Sequence, residues 1–264
     1  MITSKAIAAA LLLAALPLGA QANLADRIAA IEDGEMQFEF AAREGACGDG
    51  VSYIRVHDDV MNGDWSGGRE LPCIAGPVRV VLRKERGEIV ALHDYVGPVR
   101  TVVGRTELGE VSPAEGSAFL LALAERESGD RVAGRAIFPA MLGRGVVAWP
   151  ALMRMARNRG ASKKNDAMFW LSRYAAAKLR GSDDPFTAER GDRSDEEEVK
   201  EHAVFALSQL RGREGIDPLV DVARTNRDPG VRAKALFWLG QSGDPRALDL
   251  FDQILNGRVP PPRG

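Results

Sequence analysis

The sequence predicts an α+β protein that is predominantly α-helical, with a small antiparallel β-rich N-terminal unit followed by a solenoid of paired helices. Three observations lead to this prediction. Apolar and polar residues alternate near the N-terminus, apolar residues recur every three or four positions from Ser112 onward, and a helix-sized segment repeats in the C-terminal half. A composition with 45% hydrophobic and 27% charged residues is typical of globular proteins.

The first segment, residues 1–22, has the three parts of a secretory signal. Lys5 precedes an apolar run from Ala6 to Leu16, and small residues precede the cleavage that we expect after Ala22. The apolar run is shorter than the roughly 18 to 20 residues that a membrane-spanning helix needs. We therefore expect a periplasmic or secreted protein with no transmembrane segment once the signal is removed.

In the expected N-terminal domain, residues 23–110, Met36, Phe38 and Phe40 alternate with polar residues, which predicts a half-buried strand. Two further apolar runs flank a loop that ends in Gly87, which predicts a β-hairpin. The sequence His57-Asp58-Asp59 carries metal-ligand types. Adjacent residues of an extended chain point to opposite faces, however, so we interpret it as a solvated loop and expect no metal site.

The two cysteines, Cys47 and Cys73, lie in this N-terminal unit. In an exported protein such a pair is expected to form a disulfide. A metal or redox pair is the alternative, but the wide spacing and the absence of nearby His or Cys ligands disfavour it. A bridge here would close a loop in a turn-rich stretch with weak periodicity.

Repetition dominates the second domain, residues 111–257. Residues 199–209 align with residues 231–241 at an offset of 32, with five identities, and residues 166–172 align with residues 234–240 at an offset of 68. Asp-Pro dipeptides precede several of the helical segments, as capping residues followed by proline at the first helical position do. One helix pair cannot bury its own apolar stripe, so stacked pairs are predicted.

The final repeat, Val231-Arg232-x-x-Ala235-x-x-x-Leu239-Gly240-x-x-Gly243-Asp244-Pro245-Arg246-Ala247-Leu248, resembles the HEAT repeat. The similarity extends to the short HEAT-like form that is also found in phycobilin lyases. The resemblance implies an α-solenoid used mostly for protein binding or scaffolding, and it does not by itself imply lyase activity. Residues 258–264 are proline-rich, and we expect a disordered tail.

Charge is balanced overall and segregated locally. Lys and Arg number 35 and Asp and Glu 37, for a net charge of −2, or −3 without Lys5. This balance gives no reason to expect nucleic acid as a partner. Basic residues dominate residues 144–180 and acidic residues dominate residues 183–201. Each run is either a solvated surface, or the two form a basic patch and its acidic cover.

The basic run supplies the candidate binding residues. They are Trp149, Arg154, Arg157, Lys163, Lys164 and Arg173. Arg154 and Arg157 are spaced to share one helical face, and Trp149 could line a groove. The partner expected at such a surface is a protein or peptide of acidic character.

No catalytic motif is present: the sequence has no GxSxG elbow, HExxH helix or Walker loop. We therefore expect no catalytic residues and no cofactor, and we interpret the protein as an exported, non-catalytic binding or scaffolding module of the cell envelope. One alternative is a lyase-like enzyme or small-molecule carrier that uses the concave face of the solenoid. Another places binding on the β-rich unit, through the loop from Val56 to Pro72.

Overall fold

The computed structural model describes residues 22–57, 59–62, 72–98, 102–126, 130–158, 164–187, 195–211 and 213–259, without the side chains of residues 59–62, 130–131, 195–199 and 201. Almost all of the predicted signal, Lys163 and most of the predicted tail lie outside the described residues.

The strands in the described residues are β1 (Gly34–Phe40), β2 (Ala46–Gly48), β3 (Ile54–Val56), β4 (Asp59–Asn62), β5 (Val78–Glu85), β6 (Glu88–Val96) and β7 (Thr106–Glu110). The helices are α1 (Leu24–Ala29), α2 (Pro113–Glu125), α3 (Asp130–Met141), α4 (Trp149–Arg157), α5 (Lys164–Leu179), α6 (Asp195–Ser208), α7 (Ile216–Thr225), α8 (Pro229–Ser242) and α9 (Pro245–Leu255). A short 3-10 turn, Pro185–Thr187, follows α5. The chain is thus strand-rich first and helical afterwards, as the sequence predicts.

The larger sheet has the strand order β6-β5-β1-β7. β1 pairs antiparallel with β5, and β5 pairs antiparallel with β6. The hairpin between β5 and β6 turns at Arg86 and Gly87, which both have positive φ, as a two-residue hairpin loop requires. β7 lies parallel to β1, because the chain crosses from β6 to the opposite edge before it re-enters the sheet. The prediction of a wholly antiparallel sheet was therefore wrong at this edge.

The smaller sheet has the order β2-β3-β4. The predicted disulfide between Cys47 and Cys73 is present, and it ties β2 to the segment that leads into β5. Beside the bridge, Gly48 and Ile74 exchange two backbone hydrogen bonds, of 3.1 and 3.0 Å. The turn-rich stretch between the cysteines is therefore anchored at both ends.

Helices α2 and α3, which the sequence analysis assigned to the solenoid, pack on the N-terminal half. Phe38 and Phe40 are buried, and the ring of Phe38 lies 5.9 Å from that of Phe119 on α2. Ser112 caps α2 by accepting a hydrogen bond from the Glu115 amide, while the Glu115 carboxylate accepts one from the amide at the start of α1. The two predicted domains therefore share one continuous core.

The last four helices form two consecutive pairs, α6–α7 and α8–α9. α8 and α9 begin at the predicted caps, Asp228 and Asp244, which accept hydrogen bonds from backbone amides of the first turns. α7 begins at Ile216, one residue before the Asp217-Pro218 dipeptide. Gly215 is its N-cap residue, so Asp217 does not cap this helix. Instead, Asp217 accepts a hydrogen bond of 2.7 Å from Arg246, which joins the first turn of α7 to the first turn of α9.

The α8–α9 pair lies between α6–α7 and α4–α5, so the order in space differs from the order in sequence. α5 and α8 run in opposite directions. Lys164, at the start of α5, donates a hydrogen bond of 2.9 Å to the carbonyl of Gly243, just beyond the end of α8. Near the middle of the same contact, the rings of Phe169 and Phe237 lie 6.3 Å apart. The α8–α9 pair therefore stacks on the α6–α7 pair, which precedes it in the sequence. On its other side, α8 packs against α5, which runs in the opposite direction to α8.

Candidate docking surface

The basic residues singled out in the sequence have partners inside the chain. Arg154, on α4, pairs with Glu125 at 2.9 Å, and Arg157 pairs with Asp252 at 3.0 Å. Lys164 is bound to the Gly243 carbonyl described above. An acidic ligand at these residues would compete with contacts that already exist.

Arg173 and Trp149, two other candidate binding residues, do not form an exposed concave surface with Arg154, Arg157 and Lys164. Arg173 is only 6% exposed and donates a hydrogen bond to the carbonyl of Pro185, so it does not face solvent. Trp149 begins α4 and packs against the core. Lys178 of the basic run does contact Asp183 of the acidic run, at 2.8 Å. The basic stretch is therefore dispersed among ion pairs and buried contacts.

Aromatic side chains instead form a continuous line across the helical half. The contacts run Phe186–Trp170–Phe169–Phe237–Trp238–Phe205, with ring centroids 5.1 to 6.3 Å apart. Phe169, Phe237 and Phe205 occupy equivalent positions in the sequence repeats and lie on α5, α8 and α6. We call these three residues the phenylalanine row. Its members become more exposed toward α6, where Phe205 is 42% exposed.

A groove opens beside the end of this row, at the end of α6, the start of α7 and the end of α8. Its volume is about 200 Å³. Leu207, Leu210, Ile216, Leu219 and Trp238 supply its apolar lining, and Ser208, Gln209, Gln241 and Ser242 supply polar groups. Leu210 is 46% exposed at its edge. Such a combination of apolar walls and a few polar groups is typical of binding sites.

α6 is open because of its place at the edge of the helical array. In the described part of the chain it packs against α7 and α8, and Val204 is its one buried apolar residue. Ala203 and Ala206 are exposed, as Phe205 is. In water this apolar surface is unfavourable by about 25 cal/mol for each Å² left uncovered. We define the α6 face as Ala203, Phe205, Ala206 and Leu210, together with the groove beside them.

The turns that support the groove are held by a charge cluster. Asp244 is almost fully buried, and it accepts hydrogen bonds from both the backbone and the side chain of Arg246. The Arg246 side chain lowers the pKa of Asp244, and Arg213 adds a weaker contact at 3.4 Å. These contacts fix the turn between α6 and α7 against the turn between α8 and α9.

A second cluster joins the β-rich half to the helical half. The carboxylate of Asp184 contacts Arg43 at 3.0 Å and His57 Nε2 at 3.1 Å, and it also accepts the amide hydrogen of Phe186. Burial lowers the pKa of Arg43, although the nearby Asp184 carboxylate acts in the opposite direction. The Arg43 guanidinium also lies over the ring of Phe186. His57, interpreted from sequence as a solvated residue, is therefore partly buried in a structural contact. Among the described residues, no three His, Cys, Asp or Glu side chains are grouped to hold a metal ion.

Sequence reasoning missed both Phe205 and this joint. The repeat alignment did place Phe205 opposite Phe237, but alignment alone does not show which copy lies at an edge. Nothing in the sequence connects positions as distant as Arg43, His57 and Asp184.

The helices that carry the α6 face also match a known family. Residues 186–263 match the sequence profile of the HEAT repeats. The match, which covers less than half of the chain, supports a HEAT-repeat domain in this segment. It contains α6 to α9, and therefore the groove, while α5 and the N-terminal half lie outside the match. HEAT-repeat domains generally mediate contacts between proteins, which agrees with an apolar open face on this one. No curated protein and no solved structure matches the chain.

None of the helices in the described ranges is long and apolar enough to cross a membrane.

Proposed function

We propose that the protein is an exported, non-catalytic binding or scaffolding module of the cell envelope, and that its HEAT-repeat domain docks a protein partner on the α6 face. The observation that carries the proposal is the exposure of Phe205 at the end of the phenylalanine row. Phe169 and Phe237 are half-buried and contact each other across α5 and α8, whereas their equivalent on α6 is exposed and has no helix beyond it in the described residues.

The size and chemistry of the α6 face support a protein partner. Aromatic residues are enriched at the centres of protein interfaces, where a few buried side chains carry most of the binding energy. Phe205 and Leu210 offer two such side chains, and the adjoining groove can receive a large apolar side chain from the partner. The repeats from α6 to α9 would act as a short solenoid that holds this edge rigid.

Export is supported by two independent features. Residues 1–22 have the pattern of a secretory signal. Cys47 and Cys73 form a disulfide, a bond that persists in oxidising compartments and is rare in the cytosol. Cell fractionation with N-terminal sequencing tests this part, and we expect a mature chain that begins at Asn23.

In-cell photo-crosslinking tests the docking surface. A photoreactive phenylalanine analogue is placed at position 205, and in a matched control at position 147. Val147 is a suitable control because it is 55% exposed and lies in the segment before α4, outside the α6 face. We expect protein adducts at position 205 that are absent at position 147. Equal adduct formation at both positions, or none at 205, would contradict the proposal.

A further inference from the structure

We propose that residues 182–187 occupy a binding site of this protein, and that its partner is a protein segment whose acidic and aromatic groups displace them. These residues follow α5 and include the 3-10 turn. We call them the strap. The strap and its contacts include no residue of the α6 face, so this inference and the proposed function can each fail without the other.

Two neighbouring carboxylates of the strap are bound by basic side chains from three parts of the chain. Lys178, on α5, contacts Asp183 at 2.8 Å. Asp184 contacts Arg43, before β2, at 3.0 Å and His57, after β3, at 3.1 Å. The Arg43 and Asp184 side chains are only 13% and 25% exposed, and opposite charges attract more strongly away from water. The surface beneath the strap is therefore complementary to two adjacent acidic residues.

Two backbone carbonyls of the strap are bound by arginines of α5 and of the turn after it. Arg173 donates a hydrogen bond of 3.0 Å to the carbonyl of Pro185, and Arg180 donates one of 3.1 Å to that of Thr187. Every peptide has carbonyl groups, so these bonds fix the path of the bound chain and do not depend on its side chains. A partner segment that follows the same path can accept both bonds.

The aromatic side chain of the strap fills a pocket between the two halves of the protein. Phe186 is only 2% exposed, and its ring lies 5.3 Å from the ring of Trp170 and 6.5 Å from that of Phe138. The Arg43 guanidinium lies over the same ring, 4.6 Å from its centre. A buried aromatic ring beside a cation is the kind of group that contributes most at an interface. The partner therefore needs an aromatic residue two positions after its second carboxylate.

The strap forms its turn with its own groups. The Asp184 amide donates to the Ser182 hydroxyl at 3.1 Å, and the Phe186 amide donates to the Asp184 carboxylate at 2.9 Å. The Thr187 amide donates to the Asp184 carbonyl. Side chains that bond to the backbone two residues away form turns locally. A separate peptide with these residues can therefore form the same turn and make the same contacts.

The packing beyond the strap opposes its movement only weakly. In the described part of the chain, α6, which is the next helix, has Val204 as its one buried apolar residue. Segments with few buried contacts open locally at a low cost in free energy. The strap remains tethered, however, and a tethered segment competes at an effective concentration in the millimolar range. It therefore acts as an autoinhibitory cover that yields to a partner of higher affinity.

Fluorescence anisotropy with a labelled peptide of residues 182–187 tests the inference on the chain from residue 23 to residue 264. We expect Phe186→Ala to bind this peptide at least about tenfold more tightly than wild type, because its strap lacks the aromatic anchor. Matched control peptides, with alanine for the phenylalanine or asparagine for both aspartates, should bind at least about tenfold more weakly. Adding Phe205→Ala to Phe186→Ala should leave the affinity unchanged, since Phe205 belongs to the α6 face.

Hydrogen exchange in the wild-type chain gives a second test, which does not require a folded variant. At about 10 mM peptide, above the effective concentration of a tethered segment, the amides of Phe186 and Thr187 should exchange at least about tenfold faster. Both are hydrogen-bonded to Asp184 and should lose these bonds when the strap leaves. The amide of Val231, at the start of α8, is the control and should exchange unchanged.

The outcomes of the two experiments are distinguishable. Faster exchange in the strap, together with the expected order of peptide affinities, supports the inference. Equal binding of the control peptides overturns it, and so does unchanged exchange of Phe186 and Thr187 at about 10 mM peptide. If circular dichroism shows that Phe186→Ala is unfolded, the exchange experiment on wild type decides alone. Crosslinked adducts at position 205 would leave the proposed function standing in every case.

Discussion

The substitution Gly240→Ala tests whether α5 and α8 pack as closely as the structure shows. In a helix interior, replacing glycine by alanine normally stabilises by up to about 1 kcal/mol, because alanine loses less conformational entropy on folding. At Gly240 the added Cβ would lie 2.9 Å from the Met168 carbonyl oxygen and 2.9 Å from the Ser172 Cβ, which are tightly packed atoms of α5. Overpacking of this kind costs about 1 to 3 kcal/mol. The clash should therefore exceed the gain, and Gly240→Ala should destabilise the protein by about 1 kcal/mol.

Gly134 provides the matched control. It also lies within a helix, α3, but the nearest atom to an added Cβ is the carboxylate oxygen Oδ2 of Asp166, at 3.4 Å, an ordinary van der Waals distance. Gly134→Ala should therefore be neutral or stabilising by up to about 1 kcal/mol. The assay is chemical denaturation followed by far-ultraviolet circular dichroism. A double-mutant cycle with Ser172→Gly should recover part of the Gly240→Ala loss, because it removes one of the two clashing groups. A Gly240→Ala protein as stable as Gly134→Ala would refute the close antiparallel packing of α5 on α8.

Three further predictions concern the N-terminal half and its joint with the helices. Asp184→Ala should cost about 2 to 3 kcal/mol in chemical denaturation, because it leaves the largely buried Arg43 without its carboxylate; Asp183→Ala, next to it and exposed, should cost little. Replacing Cys47 and Cys73 together by serine should cost about 3 kcal/mol by the loss of a closed loop, and a melting temperature unchanged by this replacement would contradict the anchoring described above. Burial raises the pKa of Asp49, but hydrogen bonds from Ser52, Val51 and Tyr53 lower it to about 2. The ionised Asp49 carboxylate therefore stabilises the fold above about pH 4, and this stabilisation is lost as the pH falls toward 2. In Asp49→Asn, the free energy of unfolding should fall by about 1 kcal/mol less than in wild type between about pH 4 and pH 2.

The local sequence pattern was sufficient to predict the secondary-structure elements named below. The period of apolar residues located the helices of the second half, and Ser112, Asp228 and Asp244 marked three of their starts because capping depends on neighbouring residues alone. The hairpin at Gly87 followed from the backbone conformation that its turn requires. The disulfide followed from the number and setting of the cysteines.

Packing partners were not predictable from the same pattern. α6 and α8 carry similar apolar faces, so the sequence does not say which of them meets α5; in the structure it is α8. The basic run illustrates a second difficulty. Arg173 looked like Arg154 in sequence, but it is buried against the Pro185 carbonyl, because its environment depends on where the segment after α5 returns. The phenylalanine row was visible as a repeated residue, but the docking role proposed for it depends on exposure, which only the three-dimensional arrangement decides.

Hydroxyl-radical footprinting of Phe205 tests the docking surface most directly. The side chain is 42% exposed in the single chain, so it should be oxidised readily in dilute purified protein. In intact cells we predict strong protection of Phe205 with unchanged oxidation of Val147. Equal oxidation of Phe205 in the two samples would show that nothing covers the α6 face and would contradict the proposed function.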